Sequence, residues 1–271
     1  MITTNPFASV AEALSQSTMI MFVIAMVVLV VVGVLLDMRH KKSKEYFDKH
    51  TEAMSKLAKT PISSSEKSSL LVKTITNEVL TSSEFSNQKR RLSHLMTMYG
   101  FIVFVITSAI MIFTGAGGIW AVLWHLGALS LAIGGYWFWF GIRADVAAEG
   151  KKWYKLSFRS DVFILSLLGM STFALLWSFT GSWLMFALFI LATTVLAATT
   201  FWSKLGHMFF KPFAAYQKKV SFAEGAREKL PDVPDLSSAE VHEKYPDIPE
   251  YMGKNPPNMG PGIRREPARH Y

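Results

Sequence analysis

Residues 92–142 read LSHLMTMYGFIVFVITSAIMIFTGAGGIWAVLWHLGALSLAIGGYWFWFGI, without a single Asp, Glu, Lys or Arg. A helix crosses the hydrocarbon core of a bilayer with about 20 apolar residues. This run therefore holds two spans, broken at Gly115-Ala116-Gly117-Gly118. Working outward, residues 13–36 and 162–203 are equally free of charge. The first makes one span and the second makes two, broken at Thr180-Gly181-Ser182. Five spans are expected, near 18–36, 94–114, 119–141, 162–179 and 183–206. No water is available at that depth, so each backbone must satisfy itself as helix. The competing fold is a soluble all-α protein with five buried helices, but runs this long are too costly to expose and too long for an ordinary core. The expected class is an all-α membrane protein with five transmembrane helices.

The flank Met1–Ser17 carries no basic residue, and the apolar run after it is longer than a signal-peptide core. A retained helix is expected there. The chain has no cysteine, which excludes a disulfide, a thiolate nucleophile and a cysteine-held iron–sulfur cluster within it.

All 28 Lys and Arg residues fall in three segments: twelve in 37–91, five in 143–161 and eleven in 204–271. Five helices with both tight turns on the far side bring these segments to one face. The positive-inside rule makes that face cytoplasmic, with the N-terminus outside and the C-terminus inside. The net charge of +8 then reflects topology first and attraction to the inner leaflet second. No recognition motif interleaves the basic residues, so no nucleic-acid partner is expected.

Four regions follow: 1–36 as flank and first span, 37–91 as a cytoplasmic helical arm, 92–215 as a four-helix membrane core, and 216–271 as an extended tail. In the arm, Asp37–Lys59 is rich in helix formers and is expected to continue the first span until Thr60-Pro61 breaks it. Ser63 with Glu66 has the spacing of a capping box, opening a helix in which Leu71, Ile75 and Val79 share a face. This arm could dock a partner or lie along the membrane surface. The tail holds eight prolines between Pro231 and Pro267 and too little apolar surface for a core. His242 and His270 within it, and His40 and His50 among basic residues, read as solvated.

Three histidines remain. His94 opens helix two three residues after Arg91, and His207 closes helix five three residues after Lys204, with Pro212 beyond. Both are expected at the same depth near the cytoplasmic interface. Two facing imidazoles can clamp a b-type haem, filling both axial positions of the iron, which suits electron transfer. Arg90, Arg91, Lys204 and Lys211 crowd the same interface and could pair with propionates. Gly100 and Gly206 offer room for a flat macrocycle. The alternative is two interfacial histidines in a half-wet setting. His125 lies at the outer side beside Trp120 and Trp124 and reads as an aromatic-belt residue, with a quinone hydrogen bond as the other option.

The run Arg91-Leu92-Ser93-His94-Leu95-Met96-Thr97-Met98-Tyr99-Gly100-Phe101 resembles helix two of the five-helix membrane cytochrome b subunits related to the nitrate reductase gamma subunit. Within that group it more closely resembles the membrane parts of heterodisulfide reductase and of the quinone-interacting oxidoreductase of sulfur metabolism. Leu126-Gly127-Ala128, Gly134-Gly135, Arg143 and Ser160-Asp161-Val162-Phe163 are similar to their third and fourth helices, and 203–212 to the end of their fifth. The resemblance covers roughly 90–215. That family carries two haems on two pairs of histidines. Here the second pair is missing, so the resemblance implies one haem b, held by His94 and His207 on the cytoplasmic side.

It implies a subunit of a respiratory complex in a prokaryotic inner membrane, passing electrons between cytoplasmic iron–sulfur or flavin subunits and membrane quinone. Tyr99, His94, Lys204 and Arg143 are expected at the rim of a quinone pocket. The alternative is a haem-free membrane anchor for a cytoplasmic oxidoreductase such as adenylylsulfate reductase, which the reduced histidine count favours. A small transporter is the weakest option, because no span carries an intramembrane charge.

Overall fold

The computed structural model describes residues 2–83, 85, 87–144, 150–226, 239–244 and 246, without the side chains of Arg159, Ser160, Lys204, Leu205, His207 and Val241. Every regular element among them is helical. Four helices are long and apolar enough to cross a membrane: α1 (Gln16–His40), α4 (Gln88–Thr114), α5 (Ile119–Trp137, continued by a π turn to Ile142) and α6 (Phe158–Thr180). The fifth apolar helix, α7 (Trp183–Thr199), has 17 residues.

The tight turns break where the sequence predicts. Gly115 and Gly118 have φ of 70° and 63°, and Gly181 has 66°, conformations that favour glycine. Helix α1 packs against both α4 and α7, and α5 and α6 complete a ring of neighbours from α4 round to α7. The contact between α4 and α5 is the closest. A Cβ at Gly100 would lie 2.5 Å from the Leu131 nitrogen, and one at Gly127 would lie 2.8 Å from the Phe104 nitrogen. Ser93 Oγ donates to the Gly134 carbonyl at 2.9 Å, and Ser130 Oγ donates to the Met96 carbonyl at 3.0 Å, tying the two helices together. Small residues and hydroxyls at such a crossing are how helices associate in lipid. The core beside it is aromatic, with Trp124, Trp177, Phe104, Phe186 and Phe189 buried.

The N-terminal flank is not a passive lead-in. A 3-10 helix, Pro6–Val10, tucks under the end of the bundle away from the basic segments. Phe7 is buried edge-on against Trp177 and Trp124, with centroids 5.4 and 6.1 Å apart. Asn5 Nδ2 donates to the Met111 carbonyl at 3.1 Å, and Gln16 Nε2 donates to Ile112 O at 3.0 Å. These amides tie the N-terminal flank to the last turn of α4, where Met111 O also receives the Gly115 N–H at 3.0 Å.

At the basic end three helices form a platform. α2 (Ser43–Leu57) does not continue the first span as expected. Lys42 adopts a left-handed conformation, φ 51°, and turns the chain after His40. α3 (Ser64–Thr74) opens with the expected capping box and passes into a π turn, Ile75–Leu80. Both fold onto α8 (Lys211–Ala223), which crosses the expected boundary at 215/216. Phe47 packs edge-on against Phe213 at 5.0 Å, and Gln217 Nε2 donates to Phe47 O and Thr51 Oγ1 at 3.0 and 2.6 Å. Lys67 pairs with Glu224 at 2.9 Å, and Lys219 pairs with Glu78 at 2.6 Å. Most of the expected tail lies outside the described residues; its described part includes a short helix, α9 (Ala239–Lys244).

Candidate functional site at the basic end

Asn87 starts α4 by accepting from the Lys89 and Arg90 amides at 3.0 and 3.3 Å. That cap puts His94 seven residues into the helix, in its second turn rather than its first. Arg91, His94 and Tyr99 all reach the strand of chain that leaves the π turn. Arg91 Nε donates to Thr81 O at 2.8 Å, Tyr99 Oη donates to Leu80 O at 2.7 Å, and His94 Nδ1 lies 3.2 Å from Ser82 Oγ. Ser82 is buried with φ 47°. A non-glycine residue there costs roughly 1–2 kcal/mol. Three side chains of α4 clamp the segment that carries this strain.

Phe85 joins the other side of the bundle to this point. Its ring lies 5.0 Å from the His94 ring, tilted by 50°. The Arg90 guanidinium and the Lys211 ammonium lie 5.7 and 5.6 Å from its centroid. Lys211 opens α8, so the start of α4 and the chain after α7 meet across one aromatic ring.

His207 is not in the last turn of helix five. α7 ends at Thr199, and His207 belongs to a separate 3-10 helix, Lys204–Phe209. The side chains of His207 and Lys204 lie outside the description. The room expected beside two glycines is taken. The Gly100 face is filled by α5, and a Cβ at Gly206 would lie 2.8 Å from Phe201 O. Between α4 and α7 stands α1, whose Gly33 lies against the Phe201 ring. In the core the two helices are linked by Phe104 and Phe189, 6.1 Å apart.

A haem held by His94 is fitted by half of what surrounds it. An iron-binding imidazole uses its second nitrogen to hold its orientation, and Ser82 supplies that support at Nδ1. The glycine space that would seat a macrocycle is not there.

Arg143 lies apart from this cluster. Its guanidinium is 1% exposed and pairs with Asp161 at 2.8 Å. It also donates to the carbonyls of Lys152 and Lys155 at 3.1 and 2.8 Å, and stacks over Trp139 at 4.0 Å. Lys151 and the Ser157 amide complete the shell of Asp161 at 2.8 and 2.7 Å. The cage ties the loop 150–157 across the ends of α5 and α6. A lone acid opening one span, opposite a lone arginine closing the one before, is the sequence signal for it.

His125 is buried with both nitrogens engaged, Nδ1 with Ala121 O at 2.7 Å and Nε2 with Ser178 Oγ at 2.5 Å. It fastens α5 to α6, with Trp124 and Phe179 beside its ring.

No family model matches the chain, and comparison with curated proteins and with solved structures finds none similar to it.

Proposed function

We propose that this chain is the membrane subunit that anchors a cytoplasmic oxidoreductase to a prokaryotic inner membrane. Five spans run with the N-terminus outside, and α7 completes the fifth, since 17 residues suffice at the short end of the spanning range. The basic end is cytoplasmic, and there α2, α3 and α8 offer a platform rather than a loose connector. The observation that carries this reading is the use made of the candidate redox side chains. Arg91, His94 and Tyr99 hold the 80–82 segment, and Arg143 holds the 150–157 loop. All four work at fixing the platform and its loops to the bundle. By the resemblance noted above, the soluble partner is an iron–sulfur or flavin enzyme of the adenylylsulfate reductase type.

The test is purification from native membranes. A flavin- or iron–sulfur-bearing protein should copurify, and it should move to the soluble fraction when the gene is deleted. A partner that stays with the membrane in the deletion strain contradicts the anchor.

A second reading keeps the haem. Ser82 at His94 Nδ1 and the Phe85 bridge to Lys211 favour it, because they orient the imidazole and bring the 204–211 segment to the same end. A haem b would supply one-electron transfer between the partner and membrane quinone. His94 and His207 would hold it, with Arg91 and Lys204 as charge partners and Tyr99 near the quinone, while Arg143, enclosed by Asp161 and the 150–157 loop, takes no part.

A further inference from the structure

We propose that α3 and its π turn are an interfacial helix, lying in the lipid–water boundary with Leu71, Val72, Ile75 and Leu80 against acyl chains. At ~100° per residue in the helix, slightly less in the π turn, these four fall on one side. All four are exposed in the folded chain. The neighbouring side faces α8 and is spoken for: Thr74 is buried, Lys67 pairs with Glu224, and Glu78 pairs with Lys219. The remaining side carries Lys73 and Asn77, both exposed. A polar side, an apolar side and a protein side on one helix are what an in-plane membrane helix needs.

Its height relative to the spans is fixed by hydrogen bonds. Tyr99 Oη holds the Leu80 carbonyl, and Tyr99 lies eleven residues past Gln88, about 16 Å along α4. Helical side chains lean towards the N-terminus, so Leu80 is held level with the first turns after Leu92, where the charge-free run begins. Leu92, Ile102, Val105 and Ile106 are exposed on α4. The apolar side of α3 therefore continues the lipid-facing surface of a membrane-spanning helix, and lipid is the occupant that reaches both. This inference concerns how the arm sits and holds whether or not a haem is bound.

The chain has no cysteine, so single-cysteine variants give unique spin-label sites. Label Leu71→Cys, Ile75→Cys and Leu80→Cys in the full chain, reconstituted in phosphatidylcholine–phosphatidylglycerol vesicles. Use Val27→Cys on exposed α1 as the lipid reference, and Lys49→Cys, Lys73→Cys and Asn77→Cys as water references. The result expected is relaxation by oxygen over a nickel chelate at 71, 75 and 80, as at 27, and the reverse at 73 and 77. Nickel-favoured relaxation at 71, 75 and 80 would overturn the proposal. So would labels shielded from both relaxants, which would assign that side to a protein partner or a second copy.

Discussion

Removing the Asp161 carboxylate would strand the Arg143 guanidinium in a site where it is 1% exposed. Breaking a buried pair costs about 3–5 kcal/mol. The carbonyls of Lys152 and Lys155 still receive the guanidinium, so Asp161→Ala should fall near about 3 kcal/mol. Lys151 shares the same carboxylate but is partly exposed, and Lys151→Ala should cost about 1 kcal/mol or less. Thermal unfolding in detergent compares them, and equal losses would contradict the cage. At the other cluster, Tyr99→Phe removes one hydrogen bond, worth about 1 kcal/mol. It should make the 80–87 segment more accessible to protease while leaving the spans protected. Unchanged proteolysis would mean that the clamp is idle.

Glu66 gives a pH-dependent case. The Ser63 backbone N–H, and then the Ser63 side-chain bond, hold its carboxylate below the usual range against a smaller desolvation effect. A depressed acid stabilises the fold above its unfolded pKa, and the contribution is lost as pH falls through the folded value. The Ser63 amide NMR signal should therefore titrate with a midpoint below that of an ordinary glutamate. A midpoint at the ordinary value would show that the capping box is open in solution.

At the scale of elements, the α4–α5 crossing is set by the absence of side chains. A Cβ at Gly100 meets backbone at 2.5 Å, which cannot rotate away. Gly100→Val should force the helices apart and sharply reduce the monodisperse fraction in detergent. Gly169→Ala, whose Cβ would meet the Ala192 Cβ at 3.3 Å, should be tolerated with a small shift. Equal behaviour of the two variants would contradict the packing. The existence of the apolar helices was legible in the charge-free runs, because charge is excluded wherever lipid surrounds a helix. Their ends were less so. Thr199 and Thr200 turn their hydroxyls back onto the Val195 and Leu196 carbonyls, but Thr193 and Thr194 do the same within the helix, so these bonds do not explain where it ends. Helix α7 stops at Thr199, before the 3-10 helix that holds His207. Nothing in the hydropathy of 183–206 marks that stop.

For the whole molecule, the ends of the bundle do different work. The end remote from the basic segments is closed by Asn5 and Phe7, and the basic end is braced by α2, α3 and α8. The residues of the candidate site could be picked from the sequence because histidine and arginine are rare beside apolar spans. What they touch could not. Ser82 meets His94 only because the chain turns through a left-handed residue, and no pattern in 75–87 announces it. Gly100 looked like room for a ligand because sequence cannot say which helix fills a gap.

Arg91, His94 and Tyr99 hold the 80–82 segment, and the proposed anchor needs nothing more from them, whereas the haem reading makes His94 an iron ligand. A reduced-minus-oxidised spectrum of the protein purified free of any copurifying protein decides between the two. The account predicts no cytochrome α-band from this chain. A b-type α-band that disappears in both His94→Ala and His207→Ala would contradict it and establish the haem reading.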